Sequence, residues 1–152
     1  MKLSTKGRYG LRAMIDLAVC SEEEAVSISS ISSRQNISES YLEQLVAKLR
    51  KAGLVVSIRG AQGGYKLARD ASEISVGDIL RALEGNLDAV ECPGLKAENG
   101  CQGADVCVTK YVWQRINESI TEAVDDIKLQ QLVEESKKAN KKGQPNHAGC
   151  EN

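Results

Sequence analysis

Residues 27–68 fix an order of elements that few folds accommodate. Ser27 is placed to cap a short helix running through Arg34, with Ile28 and Ile31 inward. After Gln35–Ile37, Ser38 caps a longer helix to about Lys51, closed by Gly53. Two capped helices joined by so short a turn form a helix-turn-helix. Leu54–Ile58 then alternates as a strand, Gly64–Ala68 returns, and Arg59–Gly63 joins the two with a cation at the shoulder. A basic hairpin directly behind the second helix is the wing of a winged helix-turn-helix. The expected fold is therefore mainly α with a small β-hairpin, extended by a long C-terminal helix.

Projected at the helical period, the second helix gathers Leu42, Leu45, Val46 and Leu49 on one side and Ser40, Glu43, Gln44, Ala47 and Lys51 on the other. Small, hydrogen-bonding side chains on one arc suit a DNA major groove, although an ordinary surface helix has the same pattern. The hairpin makes the difference, because a narrow tip carrying Arg59 can follow a phosphate backbone or enter a minor groove. A nucleotide-cradling loop is excluded, since no Gly-Lys-Ser/Thr ending and no following helix are present. Ahead of this unit, Thr5–Val19 has helical spacing, with Leu11, Met14, Ile15, Ala18 and Val19 inward. Lys6, Arg8 and Arg12 lie where the helix dipole disfavours cations, so either a phosphate sits there or the turn is simply solvated.

Behind the wing, Ser75 caps a helix with Val76, Ile79, Leu80 and Leu83 inward, stopped by Gly85. A long helix follows from about Thr109 to about Glu135, with Trp113, Ile116, Ile120, Val124 and Ile127 on one stripe. A helix of that length is hard to bury in a small body. Its stripe suits pairing with a second subunit, the other outcome being a helix folded back on its own domain. From Ser136 onward Lys137, Lys138, Lys141 and Lys142 among Gly, Pro and Asn indicate a disordered tail. The organisation expected is a DNA-binding domain at 1–85, a cysteine-rich loop at 86–108, a dimerisation helix at 109–135 and a tail at 136–152.

That loop, Glu91–Cys107, holds three of the five cysteines, Cys92, Cys101 and Cys107, among glycines, a proline and almost no apolar residues. Cysteine is usually a small buried hydrophobe, so thiols in a polar loop point to a metal or an iron–sulfur cluster. Zinc sites favour close Cys-x2-4-Cys pairs, whereas the gaps here hold eight and five residues. A direct thiol switch is the remaining alternative. No Cys-x-x-Cys occurs, and the one histidine, His147, lies in the tail, so no nucleophile has an ordered basic partner and enzymatic catalysis is not expected. A mere cluster carrier has no use for a recognition helix and wing. No long apolar run or leader pattern is present, so a cytoplasmic protein is expected. Charge is divided: residues 1–70 hold 11 Lys+Arg against 7 Asp+Glu, and the remainder 9 against 14. Only one end is suited to a polyanion.

Met1–Gly10, Ile37–Leu45 and Arg59–Tyr65 closely resemble the Rrf-two family of bacterial transcription regulators, and within it the iron–sulfur cluster regulators. The resemblance covers about residues 1–135. It implies a homodimer that binds palindromic double-stranded promoter DNA, often as a repressor, and controls iron–sulfur assembly or related genes in response to cluster, redox or nitric oxide status. It assigns base reading to Ser40, Glu43 and Gln44, and the wing contact to Arg59 and Gly60. It also implies a [2Fe-2S] cluster on Cys92, Cys101 and Cys107. Where relatives place a histidine ligand this chain has Lys110, and where others place an aspartate it has Arg8. Candidates for the fourth ligand are Asp105, Glu91, Cys20, His147 and Cys150.

Overall fold

The computed structural model describes residues 2–96 and 100–142. Its elements run α1 (Thr5–Cys20), α2 (Ile28–Gln35), α3 (Glu39–Lys51), β1 (Val55–Ile58), β2 (Gly64–Leu67), α4 (Val76–Glu84), a 3-10 turn at Pro93–Leu95, α5 (Thr109–Asp126) and α6 (Leu129–Lys141). The expected caps form. Ser27 accepts from the Ser30 amide, Ser38 from Tyr41, and Ser75 makes a reciprocal box with Asp78. Asn36 takes the left-handed conformation that ends α2 and turns the chain into α3.

Burial follows from that geometry. Met14 and Leu17 of α1, Ile31 of α2, Leu42, Leu45 and Leu49 of α3, with Leu54, Ile74 and Ile79, form one core in which each side chain is almost inaccessible. The strands pair antiparallel, Val55 opposite Leu67 and Ile58 opposite Gly64. An isolated bridge from Val26 to Tyr65 adds a third edge to the wing. The tip turns at Gly60, whose φ of +123° strains any residue with a Cβ. α1 departs from expectation: Leu11, Ile15 and Val19 are only partly buried, while Gly7 and Gly10 are buried. A Cβ at Gly10 would collide with Leu83, so the glycines permit α4 to lie close against α1.

The helix expected to run unbroken from Thr109 to about Glu135 is two helices. Ile127 and Lys128 are extended, and the chain pairs briefly with 74–76. Val76 donates to the Ile127 carbonyl and Leu129 to the Ile74 carbonyl, both at 2.8 Å. Lys128 Nζ donates to the Asp125 carbonyl at the end of α5, and the Lys128 amide is taken by Gln131 Oε1. The break is stabilised by burial, since it turns Leu129 and Val133 into the main core beside α1. A second small core joins Val76, Leu80 and Leu87 to Leu3, Leu11, Val124 and Leu132. The tail expected to be disordered from Ser136 is helical as far as Lys141, and its remainder, with His147 and Cys150, lies outside the described residues. Among the described residues no helix is long and apolar enough to cross a membrane.

The expected apolar stripe on α5 also divides. Trp113, Ile120 and Val124 are half-buried on the face toward α4 and the 3-10 turn. Ile116 and Ile127 stay exposed, together with Val108, Tyr111 and Val112. None of α5 is fully buried.

Candidate nucleic-acid interface and cysteine loop

Ser40, Glu43 and Gln44 are all exposed on α3, on the side opposite the buried Leu42, Leu45, Val46 and Leu49. Ala47 and Lys51 extend the same open face, so the projected arc is a real surface. Arg59 and Gly60 are likewise exposed at the wing tip. The face thus offers an amide, a hydroxyl and a carboxylate for hydrogen bonding, with a guanidinium on a separate narrow projection.

Beneath this face lies a polar network that sequence reasoning missed. Asp16 of α1 is buried and receives Arg34 through Nε and Nη2 at 2.8–3.2 Å, and Gln35 Nε2 at 2.9 Å. The side chains of Asp16 and Arg34 are 1% and 4% exposed. Arg12 donates to the Gln35 carbonyl at 2.6 Å and to its Oε1 at 3.2 Å, and lies over the Tyr9 ring. Tyr9 in turn meets Tyr41 edge-to-face, and the Tyr41 hydroxyl reaches Thr5 Oγ1 at 3.1 Å. α1 is therefore tied to both helices of the helix-turn-helix. The one legible signal was Asp16, an acidic residue in the middle of an otherwise apolar helical face.

The start of α1 is not open to a phosphate at its backbone amides. Glu84, the last residue of α4, accepts from the Ser4 amide, the Ser4 hydroxyl and the Gly7 amide at 2.6–2.9 Å. These bonds, led by the Ser4 hydroxyl, hold the Glu84 carboxyl below its ordinary range. A carboxylate from α4 thus offsets the dipole that Lys6 and Arg8 oppose. Lys6 and Arg8 are exposed, while Arg12 is engaged as described.

The cysteine loop emerges from α4 through Gly85 and returns into α5. Cys92 and Cys107 are half-buried and Cys101 exposed, all three as free thiols. None serves the core. Cys107 lies just ahead of α5, where the Thr109 hydroxyl at 3.1 Å and the Lys110 amide hold its thiol below the usual range. A shift in this direction favours the thiolate, the form that binds metal. The two halves of the loop come close: a Cβ added at Gly94 would lie 3.5 Å from both Cys92 Sγ and the Ala104 Cβ. Lys110 lies over the Tyr111 ring. Among the described residues no three His, Cys, Asp or Glu side chains come together as a metal site, so neither Asp105, Glu91 nor Cys20 completes one with the loop thiols. Three thiols in one loop fit an iron–sulfur cluster in donor type.

Asn117, a residue that sequence reasoning also passed over, fastens the start of this loop. Its Oδ1 accepts from the amides of Ala89 (2.9 Å) and Val90 (3.4 Å), and its Nδ2 donates to the Val90 carbonyl at 3.0 Å.

Comparison with known proteins identifies the family and the fold. The profile of the Rrf2 family, described as iron-dependent transcriptional regulators, matches residues 3–135. The transcriptional regulator IscR of Serratia proteamaculans is 48% identical over 133 residues, spanning 88% of this chain and 79% of that protein. Among solved structures, IscR of T. potens superposes with a TM-score of 0.72 at 48% identity, covering 91% of this chain and 90% of that one. CymR, the global cysteine regulator of B. subtilis, superposes with a TM-score of 0.73 at 44% identity, covering 89% and 98%. These relatives are regulators and not enzymes, and they share the winged helix-turn-helix body built above. With the match extending from the first turn of α1 into α6, the chain belongs to the Rrf2 family of transcriptional regulators.

Proposed function

We propose that this chain is a dimeric DNA-binding regulator whose promoter choice or affinity is set by a [2Fe-2S] cluster held on Cys92, Cys101 and Cys107. The observation that carries this reading is the placement of the thiols. Three cysteines stay out of the core, in a loop fastened at both ends to α5, beside a winged helix whose polar reading face is open. When bound to Cys92, Cys101 and Cys107, a cluster would supply a redox- and oxygen-sensitive group. The chain's own residues do the rest. Thr109 and the Lys110 amide favour the Cys107 thiolate. Ser40 and Gln44 read base edges, Glu43 accepts from a base amino group or repels wrong sites, and Arg59 with Gly60 brings the wing to the backbone. The exposed apolar face of α5, from Val108 and Val112 through Ile116 to Ile127, takes a second copy of the chain, giving a two-fold pair suited to a palindromic site.

A second reading keeps the fold and dispenses with the metal, using the same thiols as a direct redox switch. It is favoured by the absence of a converged metal site among the described residues. One experiment separates the two. Protein purified anaerobically is analysed for iron, acid-labile sulfide, zinc and visible absorption, and then titrated with promoter DNA at several salt concentrations. The cluster reading expects two irons and two sulfides per chain, and colour lost on replacing any of the three cysteines by alanine. Metal-free protein whose DNA affinity responds to a thiol oxidant establishes the switch instead.

A further inference from the structure

We propose that Asn117 is the positioning residue for the first cluster thiol, Cys92, through the two-sided clamp it places on the backbone of Ala89 and Val90. The inference rests on the reading that the loop thiols hold a cluster. It also has content of its own, because the clamp is made wholly by groups of the chain.

Both faces of a peptide segment are taken by one side chain. Oδ1 accepts from two consecutive amides, and Nδ2 donates to the Val90 carbonyl. The helix itself gives no reason for this residue, since asparagine is a weaker helix former than leucine or glutamine. Asn117 is half-buried on the same side of α5 as Trp113 and Ile120, facing the 3-10 turn and α4. Cys92 follows Val90 by two residues, and Cys107 precedes the first residue of α5, Thr109, by two. One rigid helix therefore governs both ends of the loop, one end covalently and the other through Asn117.

Without the clamp, Cys92 is tethered from Leu87, which is buried in the small core with Val76 and Leu80, three residues further back than Val90. The entropy of bringing it to the other thiols rises accordingly. Groups that orient ligands without touching the metal are worth about 10- to 100-fold in affinity. Asn117 is of that kind, acting through backbone instead of through a side-chain ligand.

The test compares wild-type, Asn117→Leu and Asn117→Asp chains. Leucine keeps the size and favours the helix but cannot hydrogen-bond. Aspartate accepts from both amides but, ionised, cannot donate to Val90. Loaded proteins are mixed anaerobically with an iron chelator, and the decay of visible absorption is followed. Asn117→Leu is expected to lose its colour at least about tenfold faster than wild type, with Asn117→Asp between them. In the metal-free proteins, amide exchange at Ala89 and Val90 is expected to accelerate in Asn117→Leu. A wild-type chelation rate in both variants overturns the proposal, as does unchanged amide exchange. If Asn117→Leu fails to fold, Asn117→Asp alone decides, and a lifetime equal to wild type refutes the role. Wild-type protein that takes up no iron defeats the cluster reading, while the exchange arm still reports on the clamp.

Discussion

Gln44 and Arg59 lie on different elements, and the physics of DNA recognition gives them different signatures. An amide that pairs with a base edge carries sequence information, whereas a guanidinium on phosphate carries only affinity. Gln44→Ala is expected to cost about 1–3 kcal/mol at the cognate site and little on random DNA. Arg59→Ala is expected to weaken both and to lower the slope of log affinity against log salt by about one. Binding titrations across salt on cognate and scrambled duplexes measure the two effects. Unchanged discrimination in Gln44→Ala sinks the base-reading role. The exposure of Gln44 was legible because a polar arc is written directly into helical spacing, and that of Arg59 because it sits in the turn between two alternating strands. The partners beneath were not. Asp16 meets Arg34 across a distance of 18 residues, and Glu84 meets Ser4 across 80, so no local pattern announces them.

Helix caps, the turn and the wing followed from sequence because their causes are local, namely Ser27, Ser38 and Ser75 at N-caps and Gly60 at the tip. The end of α5 did not, although its signal was present. Continuing the stripe beyond Ile127 brings Gln131, Glu134 and Glu135 inward, whereas the apolar residues are Leu129, Leu132 and Val133. The phase change marks a break, and tertiary burial of Leu129 and Val133 determines where the helix turns. The same structure revises which face of α5 is open. Ile120 is half-buried toward its own domain, so a charge there disturbs the monomer as well as any interface. Ile116 is 38% exposed beside Val112 and is the cleaner probe. Ile116→Lys is expected to give a folded monomer with weak affinity for a two-fold site, because apolar area worth about 25 cal/mol per Å² is no longer buried between copies. Sedimentation at micromolar concentration measures this, and an Ile116→Lys dimer as tight as wild type removes α5 from the interface.

Across the whole molecule, α4 joins the DNA-binding body to the cysteine loop and to α5, and two carboxylates make those joins. Glu84 holds α1 through Ser4 and Gly7, while Asp125 of α5 receives both Nη1 and Nη2 of Arg81 at 2.8 Å. Both carboxyls lie below their ordinary range. The Ser4 hydroxyl is the leading cause for Glu84, and the Arg81 hydrogen bond for Asp125. A depressed folded-state pKa fixes the sign. The stabilisation is fully present above the unfolded value and is lost as pH falls through the folded one. The loss begins near pH 4.5 for Glu84 and near pH 3.8 for Asp125, their ordinary values, and continues below them. Both groups are partly open to solvent, so screening keeps each contribution small. Thermal unfolding of the metal-free protein between neutral pH and about pH 3 is expected to show a falling midpoint over this acid range. In the Glu84→Gln, Asp125→Asn double variant the neutral-pH midpoint is expected to drop and the acid slope to flatten, because neither group has a proton left to take up. If the variant follows the wild-type slope across that range, the acid sensitivity belongs to other carboxylates, and α4 is not held to its neighbours by charge.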